Sequence, residues 1–117
     1  MTLLENRRRD AEIAEKFFGW CDWKSAPPHY STELVDAEKI IDRLRASYIE
    51  VIIGCFKDQF SVELRRWIKQ EGIEGDPHTG RSRVTFVCIT GAVTLPDALA
   101  QAVLRPETLE VLTDRAN

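Results

Sequence analysis

Two histidines and three cysteines are the residues with most chemistry in this 117-residue chain, and their spacing leaves that chemistry unassembled. Cys21, Cys55 and Cys88 lie far apart with no CxxC, and His29 and His78 add no zinc-type spacing. No metal and no other cofactor is expected. Asp76 is placed to orient His78 as an acid–base pair, but no nucleophile is tied to it. The stretch Gly75-Asp76-Pro77-His78-Thr79-Gly80-Arg81-Ser82 follows the outline of the phosphate-cradling loop GxxxxGK[ST]. That loop needs a lysine, a strand before it and a helix after it. Here Arg81 stands for the lysine and a strand follows, so no helix dipole faces an anion. The bland reading, a Gly/Pro loop, wins. No catalytic residue is assigned, and the chain is not expected to be an enzyme.

Arginine and tryptophan carry the binding chemistry. Arg7, Arg8 and Arg9 are consecutive, so on a helix they fan over about 200° and cannot grip one phosphate backbone together. Arg65, Arg66, Arg81 and Arg83 are different. If the strands that hold them pair, guanidiniums gather at one end of a sheet beside Trp67. Guanidinium and indole together suit an acidic partner or a protein hot spot. Trp20 is expected to anchor the core, while Trp23 and Trp67 are candidate partner contacts. The candidate binding residues are therefore Trp23, Arg65, Trp67, Arg81 and Arg83.

The elements that position these residues can be read in order. Leu3–Phe18 has helical spacing, with Ala11, Ala14 and Phe18 on a stripe and Gly19 as its stop. Trp20–Trp23 reads as an edge strand or an extended connector. Ser31 or Thr32 is the expected cap of a second helix, whose inward face is Leu34, Ala37, Ile41 and Leu44, widened by Ile40. Tyr48–Phe56 reads as a strand with Ile49, Val51, Ile53 and Cys55 toward the core. Lys57-Asp58-Gln59 is the expected hairpin turn, followed by a strand facing Phe60, Val62, Leu64 and Ile68 inward. A polar loop spans 69–83. Val84–Thr90 is apolar on both faces and reads as a central strand. Thr94 caps a third helix with Pro96 and Asp97 in its first turn. Residues 106–117 read as a C-terminal tail that adds a turn or two of helix and frays.

The fold class that follows is α+β: a three-stranded or four-stranded, mainly antiparallel sheet packed with three helices, an α/β/α sandwich, over one domain spanning 1–117. An apolar fraction of 44% and a charged fraction of 30% are ordinary for such a domain. A net charge of −3 argues against nucleic acid as the main partner. An odd cysteine count fits free thiols in a reducing cytoplasm, with Cys55 and Cys88 acting as small hydrophobes in apolar runs. The first residues lack the apolar stretch of a signal peptide, and no run of about 18 apolar residues offers a membrane span.

Three blocks resemble a family of small phage and prophage proteins, the phage ABA sandwich domain. RDAEIAEKFFGWCDW at 9–23 is similar to the family's helix running into Gly-Trp. PPHYSTELVDAEKIIDRL at 27–44 is similar to its Pro-His-Tyr-Ser-Thr approach to a helix. TLPDALAQAVL at 94–104 is similar to its closing helix, although Ala100 and Gln101 stand where that family has an Ile-Cys pair. The resemblance implies an α/β sandwich made in a bacterial cytoplasm from a phage or prophage locus, and it supplies no catalytic residues. The function expected is non-catalytic binding of a host or phage protein, with inhibition of a defence system as one form. The alternatives are a small-molecule or nucleotide binder using the 69–83 loop, and a homo-oligomeric assembly factor.

Overall fold

Residues 2–20, 26–69 and 81–116 are described by the structure, a computed structural model, with 68, 69, 81, 82 and 114–116 described by backbone alone. The first helix, α1 (Leu3–Glu12), starts at Thr2, whose hydroxyl accepts the Glu5 N–H at 3.1 Å. It runs into one π-helical turn, Ile13–Phe17, and stops at Gly19, where φ is +72°. The buried stripe is Asp10, Ile13, Ala14 and Phe17. Phe17 is therefore the core residue of the aromatic pair and Phe18 sits half-buried beside it, edge-on at 4.9 Å. Trp20 packs, partly buried, against the same core.

Helix α2 (Leu34–Ala46) buries Ala37, Ile40 and Leu44, while Leu34 is turned to solvent. Its cap differs from the expected one. Glu33 occupies the cap position with no side-chain bond, because the Ser31 hydroxyl is engaged by Asp10. In place of a hydroxyl cap, the Asp36 carboxylate reaches back from the first turn and accepts the His29 N–H at 2.8 Å.

Strands β1 (Glu50–Phe56), β2 (Gln59–Lys69) and β3 (Arg81–Ala92) form an antiparallel sheet in the order β1-β2-β3. Lys57 and Asp58 make the first turn, with Lys57 at φ +57° and Gln59 already paired with Phe56. Among the described residues, the strand between Arg81 and Ala92 is thus an edge strand, and β2 is the central one. The apolar run of β3 has a different cause from the expected central burial. Near Leu64 and Arg65 the register slips so that Phe86 is an extra residue, and Phe86 and Val87 both turn toward the core. A second slip leaves Gly91 at φ +77°, which lets Ile89 and Ala92 both be buried.

Helix α3 (Leu95–Val103) lies across β2 and β3, and α2 covers part of β1 and packs on α3. Thr94 caps α3 by accepting the Asp97 N–H at 3.2 Å, with Pro96 in the first turn as expected. Residues 106–116 form a full helix, α4, in place of a fraying tail. Pro106 suits its first turn, Val111 joins the core, and the buried Thr108 hydroxyl donates to the Ala102 carbonyl at 2.7 Å. The class is α+β with a three-stranded antiparallel sheet and, among the described residues, four α-helices where three were expected. Val62, Leu64, Val87 and Ile89 meet the helices, whereas Thr85, Cys88 and Thr90 on the opposite face are exposed. Among the described residues, helices therefore cover one face of the sheet, and the other is open.

Candidate functional site: an open sheet face and the edge of its first strand

Pleating decides which charged residues share the open face. Opposed residues of an antiparallel pair point to the same side. Glu50 opposes Arg65, and Arg65 opposes Thr85; Trp67 opposes Arg83, and Glu63 opposes Cys88. These residues form one patch. Arg83 Nη1 donates to both oxygens of Glu50 at 3.0 Å, and its guanidinium lies 5.7 Å from the Trp67 ring centroid. Arg65 Nη2 donates to Glu63 at 2.9 Å and its Nε to the Thr85 hydroxyl at 3.1 Å. Each guanidinium therefore already has a carboxylate. Among the described side chains the patch pairs each cation with an anion, and an indole 44% exposed stands at its end.

Of the expected binding residues, Arg65, Trp67 and Arg83 come together here. Arg66 does not join them, since alternation sends it to the helix-covered side, where its guanidinium lies 5.9 Å from the Phe86 ring. Lys69 and residues 81–83, expected in the 69–83 loop, are instead strand: Lys69 ends β2, Arg81 begins β3, and their backbones pair at the end of the sheet because the alternation of β2 and β3 continues that far. Trp23, and the loop bearing Asp76 and His78, lie outside the described residues. The expectation that Cys55 and Cys88 act as buried hydrophobes fails: both are exposed free thiols. Cys88 is on the open face, and Cys55 sits beyond the part of β1 that α2 covers.

Next to the patch, a shallow open groove of about 390 Å³ runs along the start of β1. Ile41, Arg45, Tyr48, Ile49, Val51, Ile53 and Trp67 are among its walls. Tyr48 is 76% exposed and Ile53 43%, and Phe56 farther along the strand is 75% exposed. Sequence reasoning assigned Ile53 to the core because it alternates with Val51. It missed that Ile53, although on the covered face opposite Val62, borders the groove and is left exposed. No local signal marks this, because cover over β1 depends on how α2 is placed across the sheet.

A second cluster holds the first helix to the rest. Asp10 is fully buried, and its carboxylate accepts the Ser31 N–H at 2.8 Å, the Ser31 hydroxyl at 2.6 Å and Arg7 at 2.7 Å. Arg7 also donates to the Pro27 carbonyl at 2.8 Å and lies 3.1 Å from His29 Nδ1. Arg9 makes a close ion pair with Asp97 of α3 at 2.7 Å. Two of the three consecutive arginines are thus structural, and only Arg8 is fully on a solvated face. Tyr30 stacks on Phe18 at 4.9 Å, and burial, with Asp36 and Asp10 nearby, raises its phenol above the ordinary 10.0. Among the described residues no group of three or more His, Cys, Asp or Glu side chains is placed to hold a metal ion, and no helix is long and apolar enough to cross a membrane.

Compared with known proteins, the chain matches no family model, no curated protein and no solved structure.

Proposed function

We propose that this chain is a phage or prophage accessory protein, made in a bacterial cytoplasm, that acts by binding a host or phage protein without catalysis. The observation that carries the binding reading is Trp67: a large indole left 44% exposed at the junction of an open sheet face and an apolar groove. Tryptophan and arginine are among the residues most enriched where binding energy concentrates. Arg83 and Arg65, pinned by Glu50 and Glu63, hold the surface in one arrangement before contact and so reduce the ordering cost of binding. The phage provenance is supported by the three sequence blocks at 9–23, 27–44 and 94–104. Inhibition of a host defence protein is one activity such a surface can have.

The test is affinity capture of the tagged chain from phage-infected bacteria, read by quantitative mass spectrometry and repeated with Trp67→Ala and with Lys39→Ala. Lys39 is exposed on α2, away from the patch, and serves as the control. The expected result is one protein enriched by the wild type and the control, and lost about tenfold or more with Trp67→Ala. Recovery of no protein above background, or equal recovery with Trp67→Ala, contradicts the proposal.

A further inference from the structure

The two edges of the sheet are built differently. The β3 edge strand carries two register slips and has α4 packed on it. Both devices keep another strand from adding. The β1 edge has neither. It pairs with β2 without a slip from Glu50 to Phe56, and among the described residues no strand pairs with its other side. Val51–Phe56 contains no charge and no proline. Its flanking side chains, Ile53 and Phe56, are large, apolar and exposed. An edge of this kind is a template for one more strand.

We propose that a second copy of this chain fills it, with β1 pairing antiparallel to β1 about a two-fold axis at Ile53, so that the two sheets become one. A strand that pairs with itself must keep covered face on covered face, so the axis must pass through a residue. Three central residues qualify, and charge selects among them. An axis at Gly54 sets Glu50 against Asp58 of the second copy, which repels. An axis at Ile52 sets Glu50 against Gly54 of the second copy and offers it no countercharge. An axis at Ile53 sets Glu50 against Phe56 of the second copy. The Lys57 ammonium lies 5.7 Å from the centroid of that phenyl ring, on the same face as Glu50. Each end of the joined strands then carries a Glu50–Lys57 pair, extending the existing Arg83–Glu50 contact across the boundary. Along the covered face Ile53 meets Ile53 and Val51 meets Cys55, so apolar side chains face apolar side chains. The pairing also brings two open faces, each with its Trp67, onto one surface, but it does not depend on what those faces bind.

Sedimentation equilibrium of the full chain from about 1 µM to about 1 mM tests the proposal. The expected result is a reversible dimer that Ile53→Lys weakens about tenfold or more with the far-ultraviolet circular dichroism unchanged. Glu50→Lys and Lys57→Glu should each weaken it about threefold, and the double variant should return to within about twofold of wild type. In a Cys55→Ser background, Ile53→Cys should give a disulfide-linked dimer on mild oxidation. A wild type that stays monomeric throughout the range overturns the proposal. So does a dimer indifferent to Ile53→Lys, a charge-reversed pair that fails to recover, or a dimer that Ile53→Cys does not cross-link. A monomer whose captured partner is lost with Ile53→Lys would give the edge to a foreign strand and equally overturn it. Because the readout is self-association at Ile53, its failure is distinct from loss of capture at Trp67.

Discussion

Asp10 is a charged residue at a helix position that an apolar side chain would normally fill, and its surroundings explain why the helix tolerates it. A buried carboxylate is costly unless its oxygens are engaged, and here Arg7 and both donors of Ser31 engage them. Removing the carboxylate leaves a guanidinium and two donors without their partner. We expect Asp10→Ala to lower stability by about 3–5 kcal/mol in urea unfolding, and Ser31→Ala by about 1–2 kcal/mol. Equal, small losses for both would mean that the network is not buried in solution. Tyr30 gives a second residue-scale prediction. Its folded phenol titrates above the ordinary value while the unfolded one titrates near it, so unfolding favours loss of the proton. The associated stability is complete below about pH 10 and falls as pH rises through the folded value. In a Tyr48→Phe variant, which leaves Tyr30 as the remaining tyrosine, the native phenolate absorbance should emerge at higher pH than in the denatured chain. Coincident titrations would contradict the burial.

At the scale of elements, β3 is where sequence and structure part most instructively. The helices α1, α2 and α3 were legible because stripes spaced three and four apart, Thr94 with Pro96, and Gly19 all act locally. The β1–β2 hairpin was legible for the same reason, with Lys57-Asp58 between two alternating runs. The apolar run Val84–Thr90 was misread as a central strand, because a slip that turns two successive residues inward mimics two-sided burial. Such a slip is set by the neighbour's register, which a single strand does not encode. Helix α4 was underread since its few inward residues, Thr108 and Val111, make sense only once α3 supplies the opposite surface. Gly91 lends the slip to a test. A side chain there would meet nothing within 4 Å, so Gly91→Ala should cost only the left-handed backbone, about 1–2 kcal/mol in thermal or urea unfolding. An unchanged midpoint would show that the residue is not held at positive φ.

On the scale of the molecule, the arrangement separates stability from contact. One core cluster joins the π turn that follows α1, α2, α3, α4 and the covered face of the sheet. Among the described residues the opposite face and the β1 edge are left uncovered, and there Trp67, Phe56, Thr85, Cys88 and the paired Arg–Glu side chains stand exposed or half-buried. The candidate site was partly legible. Arg65, Trp67 and Arg83 share a face because odd-numbered positions in β2 meet their opposites in β3. The groove was not legible, because it depends on how α2 lies across β1, a tertiary arrangement that neither segment encodes alone. Net charge and cysteine count pointed away from nucleic acid and disulfides, but carried no information on which face would remain bare.

That bareness is the premise from which both the partner surface and the self-pairing edge derive their meaning, and Cys88 reports on it directly. In a Cys21→Ser/Cys55→Ser variant, the remaining thiol lies in the middle of β3 on the uncovered side. Labelling with a maleimide under native conditions should proceed within about threefold of the rate in denaturant, because no local opening has to precede reaction. Labelling that waits for unfolding, and speeds up in step with denaturant concentration, would mean that the face is covered and would contradict the account.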